Sequence, residues 1–200
     1  MEISTQALFP TPVWTARFDD FVEFNQRLLS AIHDLRQQLP EGVANTNVNG
    51  WQSPNDLQLR EPFNEINARI MQICQHIGHA CGYTSQAEYR YQAWANINTP
   101  GAFNNPHIHP NSHLSGVYYV SAPDDCGSIY FRDPRQLSLM SPPPLQSTNE
   151  LTATEAAMPA EDGRIYVFPA WLEHGVQPNR SKAERIGISF NVQVVPAPLR

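Results

Sequence analysis

The sequence is short of charge, of cysteine and of long apolar runs, and each shortage removes a class of function. Only 16% of the 200 residues are charged, the formal net charge is -6, and Lys and Arg form no cluster. A chain of that balance is poorly suited to a nucleic acid or an anionic membrane surface, so no nucleic-acid partner is expected. No stretch reaches the ~20 consecutive apolar residues of a membrane span. The opening Met1-Glu2-Ile3-Ser4 has neither the basic start nor the apolar run of a secretory signal, and a cytoplasmic protein is expected. Cys74, Cys81 and Cys126 are odd in number and lack metal-ligand spacing, which reads as reduced thiols without a functional role. No compositional break divides the chain, and its length suffices for one core, so residues 1–200 read as a single domain.

What the sequence does hold changes character along its length. Residues 6–14 carry two prolines and alternate weakly, as an edge strand or an extended arm would. From Asp19 the apolar residues Phe21, Phe24, Leu28, Leu29, Ile32, Leu35 and Leu39 recur at helical steps, with Asp19 or Asp20 as N-cap and Pro40 as the stop. A second helix is expected from about Pro62 to Ala80, with Phe63, Ile66, Ile70, Ile73, Cys74 and Ile77 on one stripe and an end near Gly82. The polar segment between them ends in an apparent short strand at Leu57 to Leu59. His33, His76 and His79 fall on or beside these helices and read as surface or packing residues. Prolines and glycines concentrate beyond residue 40, and the pattern turns to short strands at 89–98, 107–110, 114–122, 127–132, 151–154, 163–169, 172–177 and 184–195. The expected fold is therefore mainly β with N-terminal helices (α+β), built on a jelly roll. Residues 1–88 supply an arm and a helical scaffold, and 89–195 the jelly-roll catalytic core, with a Pro/Ser-rich loop insertion at 133–162 suited to covering a binding site.

The densest chemistry is His107-Ile108-His109, answered by His174 on a later strand and by Arg185 eleven residues after that. Imidazoles on alternate residues of an extended segment point the same way, and a third from a distant strand can complete a metal-binding face. Taken singly, the pair also reads as two half-exposed histidines near a turn, and His174 as a core histidine; together the three favour a metal. An arginine is not needed by a metal, but it is needed by an anion bound beside one. Arg185 opens a strand in which Ile186, Ile188, Phe190 and Val192 share one face, while Arg185, Gly187, Ser189 and Asn191 share the other. The second face is poor packing material and suits a polar cavity approached closely by a ligand.

These residues resemble the iron(II)- and 2-oxoglutarate-dependent oxygenases. Those enzymes carry H-x-D or H-x-E, a distant His and an Arg or Lys about ten residues later on a double-stranded β-helix. Asn96-Ile97-Asn98-Thr99-Pro100-Gly101 before His107 is similar to their N-x-Y-x-P-G segment, with Asn98 in place of the Tyr. Ser115-Gly116-Val117-Tyr118-Tyr119-Val120, Phe131-Arg132-Asp133-Pro134-Arg135, Phe168-Pro169-Ala170-Trp171-Leu172-Glu173-His174 and Ile188-Ser189-Phe190-Asn191 resemble a bacterial and phage branch of that superfamily, as do Leu8-Phe9-Pro10-Thr11-Pro12 and Gly50-Trp51-Gln52-Ser53 upstream. The resemblance implies Fe(II) held by His107, His109 and His174, with 2-oxoglutarate and O2 as cosubstrates. It implies the distal carboxylate of 2-oxoglutarate on Arg185, helped by Asn96 and by Asn98 or Ser189, and a hydroxylated product. The chain departs from the family pattern at His109, where a carboxylate is usual. His113 is the other candidate there, as a ligand, as a donor to a ligand or as a surface residue.

A cupin is the nearest competitor, since Gly101 before His107-x-His109 and Gly163, Pro169 and His174 match its two motifs. Cupins, however, place a Glu where this chain has Ser112, His113 and Leu114, and they do not require Arg185. A non-catalytic jelly-roll binding module is a third reading. Of Tyr118 and Tyr119 one must face the core, and Tyr118 is a candidate for the cavity. Arg132 and Arg135 read as surface ion-pair partners. The substrate is expected to be a small molecule or a peptide side chain. Phe9, Val13 and Trp14 on the N-terminal arm could pack across a homodimer as readily as against the chain's own core.

Overall fold

Eleven strands and two helices make up the regular structure of the computed structural model, which describes residues 1–135 and 140–197. The helices are α1 (Phe21–Gln38) and α2 (Asn64–Ala80). On α1 the residues spaced by three and four, Phe24, Leu28, Ile32 and Leu35, are buried as one stripe. Asp20 stands at its N-cap, yet its carboxylate makes no capping bond. It accepts two bonds from Arg69, at 2.7 and 2.6 Å, and so ties the start of α1 to α2. On α2 the buried stripe is Ile66, Ile70, Cys74 and Ile77, and the chain leaves through Gly82 at φ 78, a left-handed conformation that glycine takes without strain.

The strands are β1 (Trp14–Arg17), β2 (Asn47–Val48), β3 (Trp51–Gln52), β4 (Glu88–Asn98), β5 (Phe103–His107) and β6 (Leu114–Ser121), followed by β7 (Ile129–Arg132), β8 (Glu155–Met158), β9 (Arg164–Pro169), β10 (His174–Val176) and β11 (Arg185–Val195). They form two antiparallel sheets, ordered β1-β9-β6-β11-β4-β3 and β2-β5-β10-β7-β8. That arrangement is the expected jelly roll, mainly β with two helices. One face of the larger sheet packs under the helices. Ala93, Ala95 and Ile97 of β4, Leu114, Tyr118 and Val120 of β6 and the even-numbered residues of β11 join the helix stripes in one core. The opposite face turns toward the smaller sheet, where Tyr119, Ile129, Phe131, Tyr166, Phe168 and Leu172 form a second cluster. A strand alternates its side chains, so one set of strands supplies both. Gly116 of β6 has no room for a side chain: a Cβ there would sit 2.3 Å from the Phe190 ring and 2.4 Å from the Tyr166 carbonyl of the two flanking strands.

Several expected elements differ. Leu57–Leu59 is a 3-10 turn rather than a strand. Leu57 is fully buried while Leu59 is 81% exposed, which two residues on one side of a strand could not be. The strand expected at 107–110 lies earlier and ends at His107; Pro110 and Asn111, the latter at φ 65, turn the chain. Pro106 is tolerated inside β5 because it falls at the register shift between the pairs His107–His174 and Asn104–Val176, where the ladder to β10 is interrupted. The strand expected at 151–154 is displaced to β8. Residues 152 and 153 instead donate their N–H groups back to the Asn149 carbonyl in a turn. The arm expected over 6–14 becomes a strand only at Trp14, where β1 edges the larger sheet. Within the expected insertion, residues 136–139 lie outside the described residues, as do 198–200.

Candidate metal centre

Three imidazoles converge where the smaller sheet meets the turn after β5. His107 ends β5 and is paired directly across the ladder with His174, which opens β10. His109 follows two residues on, in a turn whose backbone is held by its own N–H donating to the Ala170 carbonyl at 2.9 Å. The ring centroids are 4.4 Å apart for His107 and His174, 4.8 Å for His107 and His109, and 5.1 Å for His109 and His174. One ring nitrogen from each lies within 4.8 Å of the other two, a spacing suited to one metal ion. Among the described residues this group contains no carboxylate. His113, the other candidate, lies apart. Its Nδ1 accepts the Val194 N–H at 3.0 Å and its carbonyl accepts the Ala170 N–H, so it clasps the turn that carries His109. His33, His76 and His79 are likewise outside the group.

Burial keeps all three rings neutral. It lowers the pKa of His107, and it takes His109 down to about 4 and His174 to about 3, with repulsion from His107 adding to both. A neutral imidazole keeps the lone pair that a metal needs. The His107 Nδ1 meets the Asn105 carbonyl at 2.7 Å and the His174 Nδ1 the Leu172 carbonyl at 2.9 Å, which leaves Nε2 of each ring free. Phe168 packs on His174 with centroids 4.5 Å apart, and Trp94 lies 6.0 Å from His109.

The rings line a pocket between the two sheets. β11 and β4 run antiparallel with Arg185 opposite Asn98, Gly187 opposite Asn96 and Ser189 opposite Trp94, and all six line the cavity. Arg185 is 4% exposed. Its Nη1 donates to the carbonyls of Cys126 and of Gln177, the latter at 3.1 Å, while its buried Nη2 has no partner. Burial lowers its pKa, opposed by the nearby Tyr119 and Cys126. Asn96 donates to Ser189 Oγ at 2.9 Å, leaving Oδ1 buried and unpartnered, and Asn98 donates to Asn104 Oδ1 at 3.2 Å. Buried polar atoms without partners are uncommon, and a cavity that collects them is built for something that supplies the missing bonds.

Tyrosine 118 is not part of the cavity. Its hydroxyl donates to Asn25 Oδ1 at 2.6 Å beneath α1, and Tyr119 lines the cavity in its place. The Tyr119 hydroxyl is buried without a partner, and burial pushes its pKa up, so it stays a neutral donor. Together with Arg185 Nη2 it offers donors suited to a carboxylate. Strand alternation carries the signal for Tyr119, since Ser115, Val117 and Tyr119 share the cavity face. Thr46, Trp94 and Asn104 also line the site without having stood out in the sequence. Asn191, on the polar face of β11, reaches His109 Nδ1 at 3.1 Å. Arg132 and Arg135 pair on the surface with Glu173 and Asp133.

Comparison with known proteins agrees with this chemistry. A family model described as "Putative 2OG-Fe(II) oxygenase" matches residues 92–191, which include every residue discussed above from Trp94 to Asn191. No curated protein matches the sequence. Among solved structures the chain is similar to a prolyl-4-hydroxylase of Pseudomonas putida, 17% identical over 92% of each chain with a TM-score of 0.64. It is similar to the non-heme α-ketoglutarate-dependent carbocyclase SnoK of nogalamycin biosynthesis, 11% identical over 94% of this chain and 83% of that one, TM-score 0.67. HygX from Streptomyces hygroscopicus, solved with nickel and 2-oxoglutarate bound, is 12% identical over 92% of this chain and 83% of that one, TM-score 0.55. At such identities the likeness is one of fold.

Proposed function

The chain belongs to the 2OG-Fe(II) oxygenase family, and from that premise we propose that His107, His109 and His174 hold Fe(II), that Arg185 and Tyr119 bind the distal carboxylate of 2-oxoglutarate, and that the reaction hydroxylates a small molecule or a peptide side chain. The carrying observation is the buried, unpartnered Nη2 of Arg185 in the same cavity as the three neutral imidazoles. A metal-binding face alone would leave that cation unexplained. A dicarboxylate that reaches both accounts for the two together.

The donor set fits a divalent iron. Three neutral nitrogens occupy one face and leave positions for cosubstrate and O2. When bound, iron, 2-oxoglutarate and O2 supply the oxidation: the keto acid loses CO2 to become succinate, one oxygen atom entering succinate and the other the substrate. The protein's part is placement. Arg185 is itself fixed through Nη1 by two backbone carbonyls, so the Nη2 that remains is pre-aimed and loses little freedom when a carboxylate arrives. Gly187 keeps the wall between Arg185 and Ser189 free of a side chain. Asn96, Asn98 and Ser189 supply polar contacts along the same wall. Phe168 packs against His174 and Trp94 lies beside His109, giving that side of the site an apolar wall. In this reading residues 89–195 carry the catalytic core and residues 1–88 buttress it. Hydroxylation is taken by analogy with the prolyl-4-hydroxylase that shares this fold.

The test is an anaerobic titration of the metal-free protein with Fe(II) and then 2-oxoglutarate, following the visible charge-transfer band of an iron-chelated keto acid, with Arg185→Ala alongside. A band in the wild type that needs at least about 100-fold more 2-oxoglutarate in the variant, the scale of a lost buried charge-assisted pair, is the expected result. Iron binding without a band would move the protein to the cupin or non-catalytic class.

A further inference from the structure

The third histidine of the group is held differently from the other two. His107 and His174 each present Nδ1 to a backbone carbonyl, which can only accept, so both rings carry their hydrogen on Nδ1. His109 has no carbonyl there. The side-chain amide of Asn191 takes its place, with Nδ2 at 3.1 Å. An amide can donate or accept, and the two choices have opposite consequences for a metal. If Nδ2 donates, Nδ1 of His109 is the acceptor, the ring hydrogen sits on Nε2, and the nitrogen facing the other rings has no lone pair to give. If the amide is turned about its last bond so that Oδ1 accepts the Nδ1 hydrogen, the Nε2 lone pair is released.

The acceptor for that second state is already present: Asn191 Oδ1 is buried and has no hydrogen-bond partner. Amide nitrogen and oxygen are nearly the same size, so the turn needs no rearrangement around it. Asn191 stands in the middle of the sheet, opposite Gln92 of β4 and Ser115 of β6, and its backbone is fixed by ladders on both sides.

We propose that Asn191 is the positioning residue that selects the ligating tautomer of His109, its Oδ1 accepting the Nδ1 hydrogen when the metal is held. It does for His109 what Asn105 and Leu172 carbonyls do for the other two rings, and it does so where this chain has a histidine in place of the carboxylate usual in the family. The inference rests on the reading of the three histidines as iron ligands. A carbonyl fixes a tautomer permanently, whereas an amide fixes it reversibly, so His109 is the ligand whose availability a neighbouring side chain controls.

Two substitutions separate the choices. Asn191→Ala removes both, and Asn191→Asp leaves acceptance only. Metal affinity is measured by anaerobic Fe(II) titration and by Zn(II) titration against a chromophoric chelator. N191A is expected to weaken binding about 10- to 100-fold, the range for loss of a group that orients a metal-ligating histidine, while N191D binds as tightly as the wild type or more so. In the Zn(II)-loaded wild type and N191D the Nδ1 hydrogen of His109 gives a slowly exchanging NMR resonance, which N191A lacks. Unchanged affinity in N191A, a loss in N191D as large as that in N191A, or a loaded wild type whose His109 hydrogen is on Nε2 would each overturn the proposal. Circular-dichroism melts of the metal-free proteins report folding; should N191D not fold, the wild-type resonance and the N191A titration decide. A wild type that binds no metal would sink the reading of the site and this inference with it. Failure of the inference alone shows as a wild type that binds metal together with any one of those three outcomes.

Discussion

The two faces of β11 differ as much as the inside and outside of most proteins, although neither is exposed over Arg185–Val192. Ile186, Ile188, Phe190 and Val192 are 0–3% exposed and packed against aliphatic and aromatic neighbours. One residue out of phase, Arg185, Gly187, Ser189 and Asn191 face a cavity or the histidine beside it. Of the buried polar atoms without partners among the described residues, those of Asn96, Tyr119, Arg185 and Asn191 sit on the cavity side. One face spends nothing on unmet polarity and stabilises the fold; the other leaves bonds open for a ligand to close. The same backbone ladder holds both, which lets a site with unmet hydrogen bonds stand on a rigid support.

That contrast makes its strongest test a substitution on the packed face. Phe190→Ala should cost about 3–5 kcal/mol, a large share of the ~5–15 kcal/mol that holds a typical domain together. Ser189→Ala, the next residue and on the other face, removes the acceptor for Asn96 and should cost only about 1 kcal/mol. Urea midpoints of the two proteins measure the difference, and similar midpoints would dissolve the distinction between the faces.

Between pH 7 and about 4.5 acid should act through the cavity histidines. His109 and His174 are neutral until pH falls to about 4 and about 3, whereas an unperturbed histidine takes up its proton near 6.5. Between those values the unfolded chain binds protons that the folded rings refuse, so stability is fully present above pH 6.5 and falls as pH drops through that window. The metal-free protein is expected to lose several degrees of melting temperature between pH 7 and pH 4.5. In His174→Gln the slope flattens, because one of the refusing groups is gone. An equal slope in that variant would place the pH dependence elsewhere.

Arg185 sharpens the comparison from the opposite direction. Replacing this buried cation by an apolar group of similar length removes its desolvation cost, which offsets the loss of the two bonds from Nη1 to the Cys126 and Gln177 carbonyls. Arg185→Met should therefore melt at or above the wild-type temperature while raising the 2-oxoglutarate concentration needed for half-saturation at least about 100-fold. A variant that unfolds would make Arg185 a structural residue.

How much of this could be read from the chain follows the same division. The helices were legible because Phe24, Leu28, Ile32 and Leu35, and Ile66, Ile70, Cys74 and Ile77, repeat at a period that only a helix buries on one side. The polar face of β11 was legible from strict alternation. The weaker points are those where a tertiary partner decides. Leu57 and Leu59 look like a strand until one is seen to be buried and the other exposed. β2 and β3 are two residues each and exist only because β5 and β4 offer edges to pair with. Asp20 stands where an N-cap belongs, but Arg69, 49 residues away, claims its carboxylate. The contact of Asn191 with His109 joins residues 82 apart and has no local signature.

Tyr118 and Tyr119 compress the whole comparison into adjacent residues, and they carry the smallest predicted effect. Tyr118 points under α1, where its hydroxyl is satisfied by Asn25, whose own amide donates to the Val120 carbonyl at 2.8 Å. Tyr119 points into the cavity with its hydroxyl unsatisfied. Tyr118→Phe should therefore cost about 1 kcal/mol, or more since it strands a buried acceptor on Asn25, and leave 2-oxoglutarate binding unchanged. Tyr119→Phe removes an oxygen that has no partner, so its melting temperature should be unchanged or slightly raised, while 2-oxoglutarate binding weakens by roughly 10-fold, the worth of one hydrogen bond to a carboxylate. Melting curves and keto-acid titrations of both proteins give four numbers. If Tyr119→Phe lowers stability without touching the titration, the hydroxyl belongs to the fold, and the carboxylate rests on Arg185 alone.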